Sequence, residues 1–352
     1  MDKSRLKSVP FTRVNIEDAF WQPRMAANRE RGLKVVYEQL KATGRLRAYD
    51  LDWHPGSDQP APHVFWDSDV AKWLEGACYS LMTHPDEDLL EKVALVVDRI
   101  LSAQQADAYL NPHFTVVEPE SRWTNLRDKH ELYCAGHLIE AAIAHHRATG
   151  NSRLLDGMRR YADLLVKVFG PREGQIHGYP GHEEIELALI KLYRYTGEAS
   201  YLHLARFFIE ERGHSPHYFD QEAFARGETP DDYWAKSHQY TQSHRPIREQ
   251  DQVVGHAVRA MYLYSAVADL AYELDDADLL ETLRILWEDL TTRKMYLTGG
   301  IGPSKHNEGF TDPYDLSNKN AYAETCAAIG LVFWAQRMLQ LDDEPRRRLL
   351  AA

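Results

Sequence analysis

Cysteine is scarce: three residues in 352, Cys78, Cys134 and Cys326, odd in number and without paired spacing. That excludes a disulfide framework and points to a reducing compartment. No apolar run approaches the roughly 18 residues of a membrane span. The amino-terminal MDKSRLKSVPFTRVNIEDAFW also holds no apolar segment of signal-peptide length. The expectation is a soluble, cytoplasmic protein. Basic charge is in deficit as well: 41 Lys and Arg against 53 Asp and Glu give −12, with no basic block. Nucleic acid and membrane surfaces are therefore poor partners, and the expected ligand is neutral or weakly charged. The glycine-rich turn Thr298-Gly299-Gly300-Ile301-Gly302 is not followed by Gly-Lys-Ser/Thr, so it is no phosphate loop.

What the chain has in abundance is helical periodicity and aromatic side chains, 8 Trp, 19 Tyr and 11 Phe. Flat amphipathic rings suit both a helical core and a pocket that stacks on sugars. Four stretches repeat one layout, an amphipathic helix, a short turn and a second helix with a Leu-rich opening. The turns are Thr83-His84-Pro85-Asp86, Thr149-Gly150-Asn151, Thr196-Gly197-Glu198 and Leu274-Asp275-Asp276. Gly150 and Gly197 suit helix C-caps; Asp86, Asn151 and Asp275 suit N-caps. Between hairpins run long polar loops, about residues 44–66, 106–128, 169–181, 213–250 and 294–321.

Alternating short and long connections predict an all-α toroid of helical hairpins, (α/α)6 in type, with inner and outer rings and the long loops on one functional rim. Helix starts are expected near Arg24, Asp67, Asp86, Lys129, Ser152, Glu183, Ala199, Asp251, Ala277, Tyr322 and Glu344. The last is a stub, so the ring is expected to be a single domain over residues 1–352, incomplete at its C-terminal end.

Candidate chemistry concentrates in the stretch after Lys294. Glu308, in His306-Asn307-Glu308-Gly309, puts a carboxylate on a loop, either a solvated surface residue or a general acid/base. Glu324 and Cys326 lie two apart where that loop enters a helix, and both can reach a zinc ion. The competing role for Cys326 is a small buried hydrophobe. Histidines gather at the starts of presumed inner helices: His130 and His137, His177 and His182, His244 and His256. Neutral imidazoles there suit hydrogen bonding to sugar hydroxyls. Asp67 and Asp69 fit the same rim, although N-capping accounts for at least one. Trp66, Trp73, Tyr179 and Trp234 either line a sugar pocket or pack.

FWDSDVAKWLEGACYSL, HELYCAGHLIEAA, IHGYPGHEEIELAL, QVVGHAVRAMYLYSA and TGGIGPSKHNEGF…YAETCAAIGL resemble glycoside hydrolase family 127, the β-L-arabinofuranosidases, in order from Phe11 to Leu341. The resemblance implies an (α/α)6 barrel followed by β-sandwich domains, and retaining hydrolysis of terminal β-L-arabinofuranosides by a zinc-bound cysteine. It places Glu308 as general acid/base, Glu324 and Cys326 as zinc ligands, and His137 or His130, His182 and His256 as substrate contacts. The family's nucleophile comes from an adjacent Cys-Cys pair downstream of Glu-x-Cys. No adjacent cysteines occur in these 352 residues and only 26 follow Cys326, so the expectation is a chain without the β-sandwich domains. The expectation is half of the catalytic apparatus, a weak zinc site, a marginally stable ring prone to dimerise, and no family-like turnover by the chain as written. Two alternatives stay open: a sugar-binding remnant, and a zinc-independent α/α-toroid sugar enzyme such as an unsaturated glucuronyl hydrolase or an epimerase.

Overall fold

Helices stop where a residue can turn left-handed and start where a side chain can take up a free amide. Gly150 and Gly197 close their helices at φ 70° and 78°, a conformation that costs glycine nothing. Asp86 accepts from Leu89 N at 3.0 Å as an N-cap, while Asn151 accepts from Arg153 N at 3.0 Å from one residue before the N-cap, which is Ser152 and not Asn151 as expected. Asp275 departs from expectation: at φ 55° it ends one helix, and Asp276 caps the next through Leu279 N at 2.9 Å.

The computed structural model describes residues 8–341. Helix α1 (Trp21–Ala27) passes through a π turn (Asn28–Gly32) into α2 (Leu33–Ala42). Four hairpins follow: α3 (Trp66–Thr83) with α4 (Glu87–Ser102), α6 (Glu131–Thr149) with α7 (Arg153–Val168), α8 (Ile185–Thr196) with α9 (Ala199–Glu211), and α11 (Ala257–Leu274) with α12 (Ala277–Asp289). Between them stand two short helices, α5 (His113–Val116) and α10 (Tyr218–Ala225), and α13 (Thr325–Leu341) comes last. Among the described residues there is no β-strand, only isolated bridges, and no helix long and apolar enough to cross a membrane.

Helices α3, α6, α8, α11 and α13 pack in that order as the inner ring. Nearly every residue in the first four turns of α6 and along α11 is buried. Their partners α4, α7, α9 and α12 bury one face only and form the outer layer. The chain leaves α3, α6, α8 and α11 by short turns and returns from each outer helix by a long loop. The N-termini of the inner helices therefore share the long-loop rim, as the alternating connections predicted.

Besides Asn151 and Asp275, three expectations need correction. The helix placed at Asp251 begins at Ala257, because Gly255 sits at φ 74° with Gln239 O only 1.9 Å from where a Cβ would be, a position no helix can pass through. Helices α5 and α10 lie inside stretches expected to be loop. N-capping explains neither Asp67 nor Asp69: α3 has no side-chain cap, Asp67 is buried in its first turn, and Asp69 pairs with Arg45 at 2.6 Å. The start expected at Glu344 lies outside the described residues.

Candidate active site

Glu308 owes its position to two glycines set back to back. Gly309 forms an antiparallel bridge with His256, and Phe310 N donates to Gly255 O at 2.9 Å. Ala257 N, in the first turn of α11, donates to Glu308 O at 3.0 Å. Glu308 itself takes φ 49°, a strained value for a side-chain-bearing residue that this clamp sustains. The carboxylate is thereby aimed at the start of α11. His256 Nε2 lies 3.1 Å from Oε2, and Tyr322 OH lies 3.1 Å from Oε1. Its outer face remains open, with 47% of the side chain exposed.

Beside it, imidazoles from three inner helices form a basin. His182 is 5.6 Å from His130 and 5.7 Å from His256, ring centre to ring centre. Tyr133 packs against His182 at 4.3 Å and His137 at 4.5 Å, Tyr262 lies behind both, and Tyr240 flanks His256 at 5.5 Å. Burial, with the Arg259 guanidinium next in weight, pushes His130 and His256 down to about 3 and His182 well below its usual value. Burial does the same to His137, whose Nδ1 lies 3.3 Å from Glu184 Oε1. The basin is neutral on its histidine side and sits at helix N-termini, which disfavour cations. It suits an uncharged hydroxylated ligand.

Cys326 opens into the same space from the first turn of α13, and burial and then the Glu324 carboxylate push its thiol up to about 11. Cys78 and Cys134 are buried and free. A thiolate and a carboxylate are suitable zinc donors, but two are fewer than the usual four. The set of three converging His, Cys, Asp or Glu donors among the described residues lies elsewhere, at His217, Asp220 and His238. It is unfit for an ion as arranged. His217 and His238 stack 3.5 Å apart at 15°, so their lone pairs lie in nearly parallel planes. His217 is also committed, with Nε2 3.0 Å from Ser243 O and Nδ1 accepting from Phe219 N.

The structure thus brings Glu308, His130, His137, His182, His256 and Cys326 to one rim, with Glu324 beside the thiol. It leaves out His177, exposed beside Phe207, and His244, among Arg245, Asp251 and His238. Trp73 and Tyr179 are core residues, and Trp66 lines a cavity of about 300 Å³ with Trp53 and Pro60. Trp234 reaches the site, against Tyr240 and His306. Sequence reasoning missed Arg259, Tyr133, Tyr240, Tyr262, Tyr322 and Glu184. Only Arg259 carried a signal, three residues after a histidine that opens a helix.

A family model for the β-L-arabinofuranosidase GH127 catalytic domain matches residues 13–348. The non-reducing end β-L-arabinofuranosidase of Bifidobacterium longum subsp. longum is 42% identical over 287 residues, covering 80% of this chain and 44% of that protein. The crystal structure of Ara127N-Se, a GH127 β-L-arabinofuranosidase from Geobacillus stearothermophilus T6, superposes with a TM-score of 0.90 at 48% identity, over 94% of this chain and 53% of that one. A second GH127 β-arabinofuranosidase structure gives 0.84 at 37% identity, over 94% and 51%. The chain spans about half the length of these relatives.

Proposed function

The chain belongs to the GH127 β-L-arabinofuranosidase family, and from that premise we propose a glycoside hydrolase domain that releases L-arabinofuranose from the non-reducing end of β-linked arabinofuranosides. The observation that carries this is the Glu308 carboxylate, held between His256 and Tyr322 at the edge of a neutral histidine basin. Glu308 has to give a proton to the leaving oxygen and later take one from water. Its two partners suit both states: His256 donates to Oε2, and the Tyr322 hydroxyl can donate to Oε1 or accept from it.

Glu324 and Cys326 are proposed as two zinc donors. The described residues supply no others beside them, and no catalytic step is assigned to the ion. With its thiol held near 11, Cys326 is a poor nucleophile unless a cation stabilises the thiolate. Three free cysteines favour a reducing, cytoplasmic setting. The exposed Ile329, Val332 and Phe333 on α13 make a homodimer the proposed assembly, to be tested by sedimentation.

The test is turnover of p-nitrophenyl and methyl β-L-arabinofuranosides by the zinc-supplemented chain and by Glu308→Gln. Loss of proton donation should cost more with the methyl leaving group. Equal rates for variant and parent on the methyl glycoside would remove Glu308 from the chemistry. Binding of arabinofuranosides without turnover by either protein would favour a sugar-binding domain, the second reading that the two-donor metal site supports.

A further inference from the structure

Under the proposed function Glu308 gives a proton to the leaving oxygen, so the unit that this oxygen carries lies within reach of the Glu308 carboxylate. The inner contacts of that carboxylate are taken, Oε2 by His256 and Oε1 by Tyr322, and its outer face is open. The leaving unit is therefore held at the outer edge of the Glu308 loop and not in the histidine basin. Trp234 stands at that edge. Its indole is 6.1 Å from the ring of His306, in the Glu308 loop, and 4.6 Å from Tyr240, which flanks His256 at 5.5 Å. The ring planes cross at 83° and 76°, so neither neighbour stacks on the indole, and 49% of Trp234 is exposed.

The turn that carries this open indole is pinned on both sides. Tyr233 lies under the Arg127 guanidinium at 4.1 Å, Lys236 N donates to Tyr233 O at 3.0 Å, and Gln239 N donates to Ser237 Oγ at 3.0 Å. Room for a ligand adjoins it. Ala235 and Tyr240 line a cavity of about 420 Å³ whose wall also includes Ser237, Gln239, Asn307 and Asp312. The cavity thus joins the chain neighbour of Trp234 to the chain neighbour of Glu308, and it falls in the range of small-molecule sites, about 300–1,000 Å³. Lys294 on its wall is spent on Val253 O at 2.8 Å and Asp289 at 3.0 Å. Asp312 disfavours a second carboxylate there, so hydroxyl and amide groups are left to meet a neutral ligand.

We infer that Trp234 and this cavity form the subsite for a sugar on the leaving side of the scissile bond, the indole stacking on the C–H face of that sugar and the cavity meeting its hydroxyls. The ligand class is a neutral saccharide unit, which offers both an apolar face and a polar edge. Trp234 is then a specificity residue: it favours a sugar over a simple alcohol as leaving group and does not touch the terminal residue. The identity of the terminal sugar rests on the proposed function; the subsite rests on the exposed indole and the cavity beside it.

The test uses the chain labelled with 5-fluorotryptophan, the ¹⁹F resonance of Trp234 being assigned among the eight tryptophans with Trp234→Phe. The ligands are methyl β-L-arabinofuranoside and the methyl glycoside of the β-linked L-arabinofuranose disaccharide with sulfur at the scissile position, which resists hydrolysis. The disaccharide should move the Trp234 resonance and the monosaccharide should not, a readout taken on the unsubstituted sequence. By calorimetry the disaccharide should bind at least tenfold more tightly than the monosaccharide, and Trp234→Ala should bring that ratio to within twofold of one. If a thio-linked methyl cellobioside moves the Trp234 resonance and the arabinofuranose disaccharide does not, the arabinofuranosidase reading falls and the subsite stands. A Trp234 resonance that the monosaccharide moves or that no disaccharide moves, a parent ratio below tenfold, or a ratio above twofold in Trp234→Ala overturns the inference.

Discussion

Replacing Gly309 by alanine should dislodge Glu308 without touching its side chain. A Cβ at that position meets Gly255 O at 2.0 Å, Gly255 C at 2.7 Å and His256 Cα at 3.1 Å. All three are backbone atoms, so relief requires the two segments to separate by an ångström or more. Separation breaks the Ala257 N to Glu308 O bond of 3.0 Å and the Phe310 N to Gly255 O bond of 2.9 Å, and draws Glu308 from His256. Each neutral bond is worth about 1 kcal/mol, and with residual strain the expected destabilisation is about 2–4 kcal/mol. Gly299 is the internal control. It lies in the same long loop at φ 80° with nothing within 4 Å of a Cβ, so Gly299→Ala should cost only about 1 kcal/mol of backbone strain. Urea unfolding measures both, and a crystal structure of the variant shows the carboxylate. Gly309→Ala unfolding within about 0.5 kcal/mol of the parent, or a carboxylate still bonded to His256, would refute the clamp.

Arg212 is fully buried between Glu183 and Glu186, each at 3.0 Å, and also holds Pro180 O and Thr241 O. Arg212→Met should cost about 3–5 kcal/mol, because two carboxyls lose their counter-charge; urea unfolding showing a loss below about 1 kcal/mol would mean that the pair contributes nothing. His256 titrates near 3 when folded and near 6.5 when unfolded, so between these values the unfolded chain binds the extra proton. Stability is therefore lost as pH falls through that window, by up to about 1.4 kcal/mol per pH unit for one such group. His256→Gln should give a shallower decline from pH 6.5 to 4.5 in urea titrations, and parallel curves would contradict it. Glu324→Ala should retain less zinc than the parent after metal loading and desalting, read by elemental analysis. Equal occupancy would remove Glu324 from the donor set.

How much of this was legible in the sequence follows from the range of each determinant. The hairpins were legible because their signals are local: a left-handed Gly150 or Gly197 after a run of helical period, and an acid side chain able to cap the next helix. Histidines 130, 182 and 256 were legible as a group for a related reason. Each stands just before an inner helix, and a hairpin repeat brings all such positions to one rim. Tyr133, Tyr262 and Glu184 carry no comparable mark. Helical period says that they face inward, but the level at which each meets the basin depends on how far every inner helix slides against its neighbours.

The glycine pair shows the same limit from the other side. Gly255 and Gly309 are separated by more than fifty residues, and their contact turns a predicted helix start at Asp251 into a bridge. That single close approach sets three things at once. It moves the start of α11 to Ala257, frees His256 to cap it, and brings Glu308 into reach of the ring nitrogen that the cap leaves protonated. The cap also fixes Arg259 one turn inside the helix, where its charge adds to the burial that keeps the neighbouring imidazoles neutral. The tautomer of His256 and the position of Glu308 are therefore consequences of one steric fact. A substitution at Gly255 or Gly309 should disturb both together, whereas a change at Glu308 should leave His130 and His182 oriented as they are, because each ring is held by a carbonyl of another loop.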